Sequence, residues 1–208
     1  MRMASSSVLC LAIAWLLIMM MATSALSQSD ENATVLDTNR RPVQYGLEYY
    51  IKPAITDSGG RFTLINRNSS CPSYVGQLNT DLGEGLPVTF MPHAGEDKVV
   101  RVNRDFRVAF SAATTCVQST LWKVGNRDPK SGRRLIVTGR ALSRRDYSNF
   151  FRFVETQFEG IYNIRWCPTE VCPTCRFDCG FVGGLRENGK ILEALDGFVL
   201  PVVFEKRT

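Results

Sequence analysis

Residues 166–180 read WCPTEVCPTCRFDCG and place four cysteines within thirteen positions, at Cys167, Cys172, Cys175 and Cys179. Two kinds of site have this composition. The Cys172-x-x-Cys175 spacing is that of a zinc site, whereas a dense cysteine cluster is also typical of disulfide-stabilised secreted proteins. The compartment in which the chain folds decides between them, because an oxidising environment converts free thiols to disulfides.

The N-terminus indicates secretion. Arg2 gives a positive start, and residues 8–21 form an unbroken apolar run that is too short to span a bilayer comfortably. Small residues follow, so we predict a signal peptide over residues 1–27 and a mature domain over residues 28–208. The alternative is an uncleaved membrane anchor, against which the length of the run argues. We expect a secreted protein with no membrane association after cleavage.

Loss of Cys10 with the signal peptide leaves an even set of six cysteines. An even number in a secreted chain predicts a disulfide framework, and zinc is disfavoured also because the single histidine, His93, is far from the cluster in sequence. We therefore expect no metal and no other cofactor. Two sequons, at Asn32 and Asn68, agree with secretion and are candidate glycosylation sites.

The composition of the mature chain predicts a single globular domain, since about 180 residues suffice for a real core. Removal of Arg2 leaves 24 Lys and Arg against 20 Asp and Glu, a net charge of +4. The arginines are scattered between apolar residues or lie in loops, without the dense basic stripe and stacking aromatics of a nucleic-acid-binding surface. We expect no nucleic-acid partner.

Short strand patterns recur after residue 27, where helix signals are nearly absent. Tyr162, Ile164 and Trp166 alternate with Asn163 and Arg165, the pattern of a strand with one apolar face. Clusters rich in Gly, Pro and Asn separate the runs, which predicts an all-β barrel or sandwich with a weak threefold rhythm of about 55 to 60 residues. The predicted strands are residues 47–51, 99–102, 106–110, 121–124, 135–138, 150–154, 162–166 and 198–204.

Residues 35–43, VLDTNRRPV, followed by Tyr49-Tyr50-Ile51, resemble the opening signature of the plant Kunitz-type (soybean trypsin inhibitor) family, although Arg40 stands where the signature has Asp or Gly. The resemblance covers nearly all of the mature chain. Within the family, the chain is most similar to the miraculin-like members, although it has one extra residue between the first two cysteines of the cluster. It continues through Cys71-Pro72, residues 98–102 (KVVRV), residues 119–122 (STLW) and the cysteine cluster.

The resemblance implies a β-trefoil, which is a six-stranded barrel capped by three hairpins. It also implies the disulfides Cys71–Cys116, Cys167–Cys179 and Cys172–Cys175. The additional cysteine with which miraculin joins two chains has no counterpart here, where the matching stretch reads ETQFEG (residues 155–160). A monomer is therefore expected.

The function that the resemblance implies is inhibition of serine endopeptidases by an exposed, substrate-like loop, not catalysis. A loop held extended by the barrel enters the protease cleft as a strand would, and its P1 side chain fills the S1 pocket. Because the loop is already ordered, little entropy remains to be lost on binding. A plant defence role, in the apoplast or the vacuole, would follow.

The matching inhibitory loop comprises Met91, Pro92, His93, Ala94, Gly95, Glu96, Asp97 and Lys98. Alignment with the family puts P1 near Gly95 or Glu96, and neither suits the acidic S1 pocket of trypsin, which Glu96 would repel. The loop-supporting Asn of the family falls on Tyr45. These departures predict weak inhibition of trypsin, while Met91 would suit an apolar S1 pocket in a shifted register.

Three alternatives remain open. Residues 127–134 and 140–146 form loops with basic tips, and some family members inhibit cysteine proteases through non-standard loops, although solvated turns are the more common explanation of such charges. A second class of function is a miraculin-like binding or defence protein without inhibitory activity. An enzyme is disfavoured, because a nucleophilic site would need His93 and an unbonded cysteine or serine partner.

Overall fold

The computed structural model describes residues 32–67, 71, 73–95, 97–113, 119–143 and 145–208. Contacts divide the chain into Met1–Ala33 and Thr34–Thr208, and the fold below is that of the second unit. The predicted signal peptide, Asn68 and Cys116 lie outside the described residues. In the ranges that are described, no helix is long and apolar enough to cross a membrane.

The described residues of this unit form thirteen strands, which carry its core. In chain order they are β1 (Glu48–Pro53), β2 (Phe62–Ile65), β3 (Tyr74–Gln77), β4 (Val88–Pro92), β5 (Phe106–Phe110), β6 (Trp122–Arg127), β7 (Arg134–Thr138), β8 (Arg152–Glu155), β9 (Tyr162–Trp166), β10 (Gly180–Phe181), β11 (Gly183–Glu187), β12 (Lys190–Ala194) and β13 (Pro201–Lys206).

Six strands close into a barrel. Strand β1 pairs with β4 on one side and β13 on the other, β4 pairs with β5, and β9 pairs with both β8 and β13, all antiparallel. A bridge between Phe106 and Phe151 joins β5 to the start of β8 and completes the ring. A closed ring leaves no unpaired edge among these six strands.

Three hairpins cap one end of the barrel: β2–β3, β6–β7 and β11–β12. Their inner strands β3, β7 and β12 pair with one another and form a triangle. This six-stranded barrel with a hairpin cap is the predicted β-trefoil. The three units begin at Glu48, Phe106 and Tyr162, which agrees with the predicted rhythm of about 55 to 60 residues.

Aromatic rings fill the barrel, because alternate residues of each strand point inward. Phe90 packs edge-on against Phe106, Phe153 and Phe204, with ring centroids 5.4, 5.4 and 5.8 Å away. Under the cap, Trp122 stacks on Phe62 at 5.7 Å. All six rings are buried, and each contributes about 1.5–3 kcal/mol by leaving water.

Seven of the eight predicted strands are present in whole or in part, and the prediction at residues 99–102 was wrong. There, Val99 and Arg101 make only single bridges, to Gln44 and Thr34, because the N-terminal partner is itself irregular. Six strands were missed: the four cap strands β2, β3, β11 and β12, the barrel strand β4 and the two-residue β10. Gly76 shows one reason: a Cβ there would lie 2.2 Å from the Ile191 carbonyl oxygen, so close packing requires glycine at a position where strand patterns expect a side chain.

Candidate functional site

The predicted inhibitory loop is shorter than the sequence suggested. Met91 and Pro92 belong to β4, where they pair with Arg107 and Phe106 of β5. Met91 and Pro92 thus lie in a strand at the start of the predicted loop, and the half-buried Met91 is part of the barrel wall. The loop begins at His93, and we call residues 93–98 the 93–98 loop.

Both ends of the 93–98 loop are fixed by hydrogen bonds. The His93 amide donates to the Asp105 carbonyl at 3.2 Å, and the His93 ring packs edge-on against Phe150 at 5.4 Å. At the other end, the Tyr45 amide donates to the Lys98 carbonyl at 2.9 Å. Between these anchors every described residue is exposed. The loop is thus presented to solvent on a rigid base.

Local turns shape the loop between its anchors. Gly95 has φ +93°, a backbone conformation that glycine adopts without strain. Asp97 pairs with Arg101 at 2.7 Å, and the hydrogen bond from Arg101 holds the pKa of Asp97 below its usual value. Glu96 lies outside the described residues.

Tyr45 supports the loop through its backbone, at the position where the family has asparagine. Its phenol is half-buried, and burial, together with the charges of Asp97 and Glu170, raises its pKa to about 12. The ring is therefore neutral at physiological pH.

Asp105 ties the base of the loop to the cysteine cluster. Its carboxylate, fully buried, accepts hydrogen bonds from the amides of Glu170 and Val171 at 2.9 and 3.1 Å and pairs with Arg152 at 2.6 Å. Its own amide donates to the Glu170 carboxylate at 2.7 Å. Sequence reasoning missed this residue, because an aspartate flanked by Arg104 looks like an ordinary exposed charge.

The cysteine cluster contains two disulfides, Cys167–Cys179 and Cys172–Cys175. These bonds use all four thiols and leave none to bind zinc. Cys71 is also disulfide-bonded, and its expected partner, Cys116, is outside the described residues. The segment that Asp105 holds, residues 170–171, lies inside the loop that the Cys167–Cys179 bond closes.

Charged side chains of the basic loop at residues 127–134 form ion pairs with neighbouring segments of the protein. Arg134 bonds Asp196 at 2.6 Å and Lys130 bonds Glu187 at 3.1 Å. Arg67, which is nearly buried, joins Asp128 and Glu187 at 2.7 and 2.6 Å. These cations already have partners, which favours a structural role for this loop over protease recognition.

The chain matches a known protein family over nearly the whole of this domain. A family profile described as trypsin and protease inhibitors (Kunitz, legume type) matches residues 35–206. The chain belongs to the plant Kunitz inhibitor family. As a member of an inhibitor family, it is not an enzyme.

Three relatives place the chain within the Kunitz family. It is 57% identical over 175 residues to "Kunitz type trypsin inhibitor 106" of Medicago truncatula, covering 83% of this chain and 86% of the relative. Miraculin of Synsepalum dulcificum is 31% identical over 172 residues, or 78% of each chain, and is thus the more distant of the two. A Kunitz-type cysteine protease inhibitor from potato has the same fold, with a TM-score of 0.71 and 29% identity over 85% of this chain and 98% of its own.

Proposed function

We propose that the protein inhibits trypsin-like serine endopeptidases through the 93–98 loop. The observation that carries the proposal is the exposure of every described residue of the loop together with its fixed ends: His93 is bonded to Asp105, just before β5, and Lys98 to the segment that precedes β1. A segment held in this way loses little entropy when a protease binds it, so binding can be tight.

Within the trypsin-like class, the target we propose is a serine protease whose S1 pocket accepts a small or uncharged side chain instead of the lysine or arginine that trypsin prefers. A relative that shares 57% of its residues is named a trypsin inhibitor, which supports a trypsin-like target. Between His93 and Asp97, however, the sequence offers no lysine or arginine. Lys98 is basic, but its carbonyl is engaged by Tyr45. We therefore expect trypsin itself to be inhibited weakly.

A titration of the mature, oxidised protein against trypsin, a chymotrypsin-like protease, an elastase, subtilisin and papain tests the proposal. Inhibition of one serine protease, with cleavage recovered within residues 93–98, would support it. Inhibition of papain alone would favour a cysteine-protease inhibitor, and no inhibition at micromolar concentration would favour a miraculin-like binding protein.

A gain-of-function variant tests the placement of P1. Replacing Gly95 and Glu96 with Arg and Ile should raise trypsin inhibition, because an arginine at P1 pairs with the acidic S1 pocket. The matched control is Gly160→Arg, since Gly160 also has positive φ and open space around a Cβ. Equal trypsin inhibition by both variants would show that the loop is not the inhibitory site.

We propose further that the protein is secreted after removal of residues 1–27 and glycosylated at Asn32 and Asn68. Asn32 is exposed where the described chain begins, which is compatible with attachment of a glycan. Intact-mass measurement of the protein purified from plant tissue, before and after enzymatic deglycosylation, gives both the cleavage position and the number of occupied sites.

A further inference from the structure

A groove on the outside of the barrel gathers exposed apolar side chains in one place. Among the described residues, six large apolar side chains are exposed, and three of them, Ile55, Phe158 and Val199, line this groove of about 670 Å³. A fourth, Phe198, lines a smaller hollow that shares Ile55 and Val199 with it. We call the larger hollow the lateral groove. Single exposed apolar residues are ordinary on a protein surface, whereas a contiguous patch of them marks a binding surface.

The floor of the lateral groove is the outer face of the barrel where β9 meets β13. These strands pair at two positions, one of which joins Asn163 to Pro201. The neighbouring Tyr162 and Val202 are buried inside the barrel. Since successive residues of a strand face opposite sides, Asn163 and Pro201 face outward, and both line the groove together with Phe181 of β10.

Hydrogen bonds fix two walls of the lateral groove. In the β8–β9 connection, the Thr156 hydroxyl donates to the Ile161 carbonyl at 3.0 Å and accepts a hydrogen bond from the Phe158 amide at 3.1 Å. In the β1–β2 connection, the Ala54 amide donates to the Pro201 carbonyl at 2.8 Å, and this bond holds the backbone beside Ile55. A groove whose walls are already ordered loses little entropy when a ligand binds.

The lateral groove is lined by uncharged residues and one unpaired polar group. Because none of the residues that line it is charged, an ion that entered would lose its hydration without gaining a partner. The nearby Arg165 guanidinium lies over the Phe181 ring, 5.3 Å from its centroid. The Asn163 Oδ1 atom is buried, and no described residue donates a hydrogen bond to it. Buried acceptors are nearly always bonded, so this atom favours a ligand that brings a donor.

The size of the apolar patch favours a small molecule over a second copy of the chain. The exposed fractions of its four side chains run from 42% for Val199 to 89% for Phe198, and together they amount to fewer than three whole side chains, or about 500 Å². A stable protein interface buries about 800 Å² on each partner, which is more than this patch supplies. A groove of about 670 Å³ has the volume of a small-molecule site.

We propose that the lateral groove binds a neutral phenol with an apolar body of two or more rings. The rings pack against Phe158 and Phe181, which adds aromatic contacts to the burial of apolar surface, and the hydroxyl donates to Asn163 Oδ1. The groove is built from the β1–β2, β8–β9 and β12–β13 connections, whereas the 93–98 loop belongs to the β4–β5 connection. Ligand binding is therefore a function separate from the proposed inhibition, and neither depends on the other.

A fluorescence titration of the mature, oxidised protein with 2-naphthol tests the proposal, because this probe has two fused rings and one hydroxyl group. The comparison ligands are naphthalene, which lacks the hydroxyl, and 2-naphthoate, which carries a negative charge, and both are measured by displacement of 2-naphthol. Wild type should bind one 2-naphthol per chain. It should bind naphthalene and 2-naphthoate about tenfold more weakly, since naphthalene leaves the Asn163 acceptor unpaired and 2-naphthoate brings an unpaired charge.

Three variants locate the site. Ile55→Asp puts a charge into the wall of the groove at a position that is 53% exposed, and it should weaken 2-naphthol binding at least about tenfold. Leu82→Asp is the matched control, because Leu82 is a 95% exposed leucine in another loop, and it should bind as wild type does. Asn163→Leu keeps the groove apolar and removes the acceptor, so it should bind naphthalene as tightly as 2-naphthol, an outcome that general loss of structure does not produce.

Four results would overturn the inference: no binding of 2-naphthol to wild type, equal losses in Ile55→Asp and Leu82→Asp, an unchanged preference for 2-naphthol in Asn163→Leu, or binding of 2-naphthoate as tight as that of 2-naphthol. Sedimentation of the ligand-free protein covers the other occupant. A wild-type dimer that dissociates in Ile55→Asp would assign the groove to a second copy of the chain and overturn the inference as well. Protease inhibition is measured separately, so none of these results decides the proposed function.

Discussion

Glu193 should make the stability of the protein fall as the pH rises. It lies in β12, at the centre of the cap, and is fully buried. Burial raises its pKa from 4.5 to about 8, and the neighbouring Gln77 amide offsets only part of that effect. The folded protein therefore keeps a proton on Glu193 at neutral pH that the unfolded chain has already lost.

The sign and size of the effect follow from this difference in bound protons. Between pH 4.5 and 8 the folded state binds one proton more than the unfolded state, so the contribution of Glu193 falls as the pH rises, by about 1.4 kcal/mol per pH unit. The contribution of Glu193 to the free energy of unfolding is fully present below pH 4.5 and is lost by pH 8. From pH 5 to pH 8 the loss is about 4 kcal/mol, a large part of the stability of an ordinary domain.

Urea unfolding of wild type and Glu193→Gln, with the disulfides intact, measures this effect. Glutamine has the same shape and no proton to lose, so the difference in unfolding free energy should move in favour of the variant by about 4 kcal/mol from pH 5 to pH 8. Glu155→Gln, at the exposed end of β8, is the control and should show no such drift. Parallel curves for wild type and Glu193→Gln would refute the reasoning.

Three further predictions concern the core, the cap and the cysteines. Phe90→Ala should lower the unfolding free energy by about 3–5 kcal/mol, because four rings lose their common neighbour; a cost below that of exposed Phe198→Ala would contradict the packing described here. Arg67→Met removes the cation that joins two nearly buried carboxylates, of which only Glu187 keeps another cation, Lys130, and should cost about 3 kcal/mol in urea unfolding, whereas Arg40→Met, which removes a fully exposed pair, should have no measurable effect. Alkylation of the unreduced mature protein should add no label by intact mass, and any added label would disprove complete pairing of its six cysteines.

Five of the six barrel strands were readable from the sequence, because these strands carry a strong local signal. Tyr162 and Ile164 alternate with polar residues and point into the core as expected, whereas Trp166 is only half-buried. In the cap, the sequence predicted β6 and β7 but not β2, β3, β11 and β12. Strand β3 contains Gly76, whose role depends on how closely a distant strand approaches. The distance between two such strands is a property of the folded molecule and cannot be inferred from the residues beside the glycine in the sequence.

The same distinction holds at the candidate sites. The 93–98 loop could be located from a family pattern, and its exposure agrees with that placement. The residues that support the loop, Asp105 and Glu170, could not be located from the sequence, because both are charged residues beside other polar residues. Burial by segments far along the chain turns such residues from ordinary surface groups into anchors.

Closure of the barrel by β1 and β13 has a consequence for biosynthesis. The two strands pair over their whole length, and beside them Arg207 bonds Glu48 across a separation of 159 residues. A ribosome therefore makes β1 long before its partner exists, and the cylinder cannot close until β13 has emerged. A message truncated anywhere before β13 yields a chain whose β1 and β9 edges are open to aggregation. Only a chain that includes β13 can close the barrel and cover these strand edges.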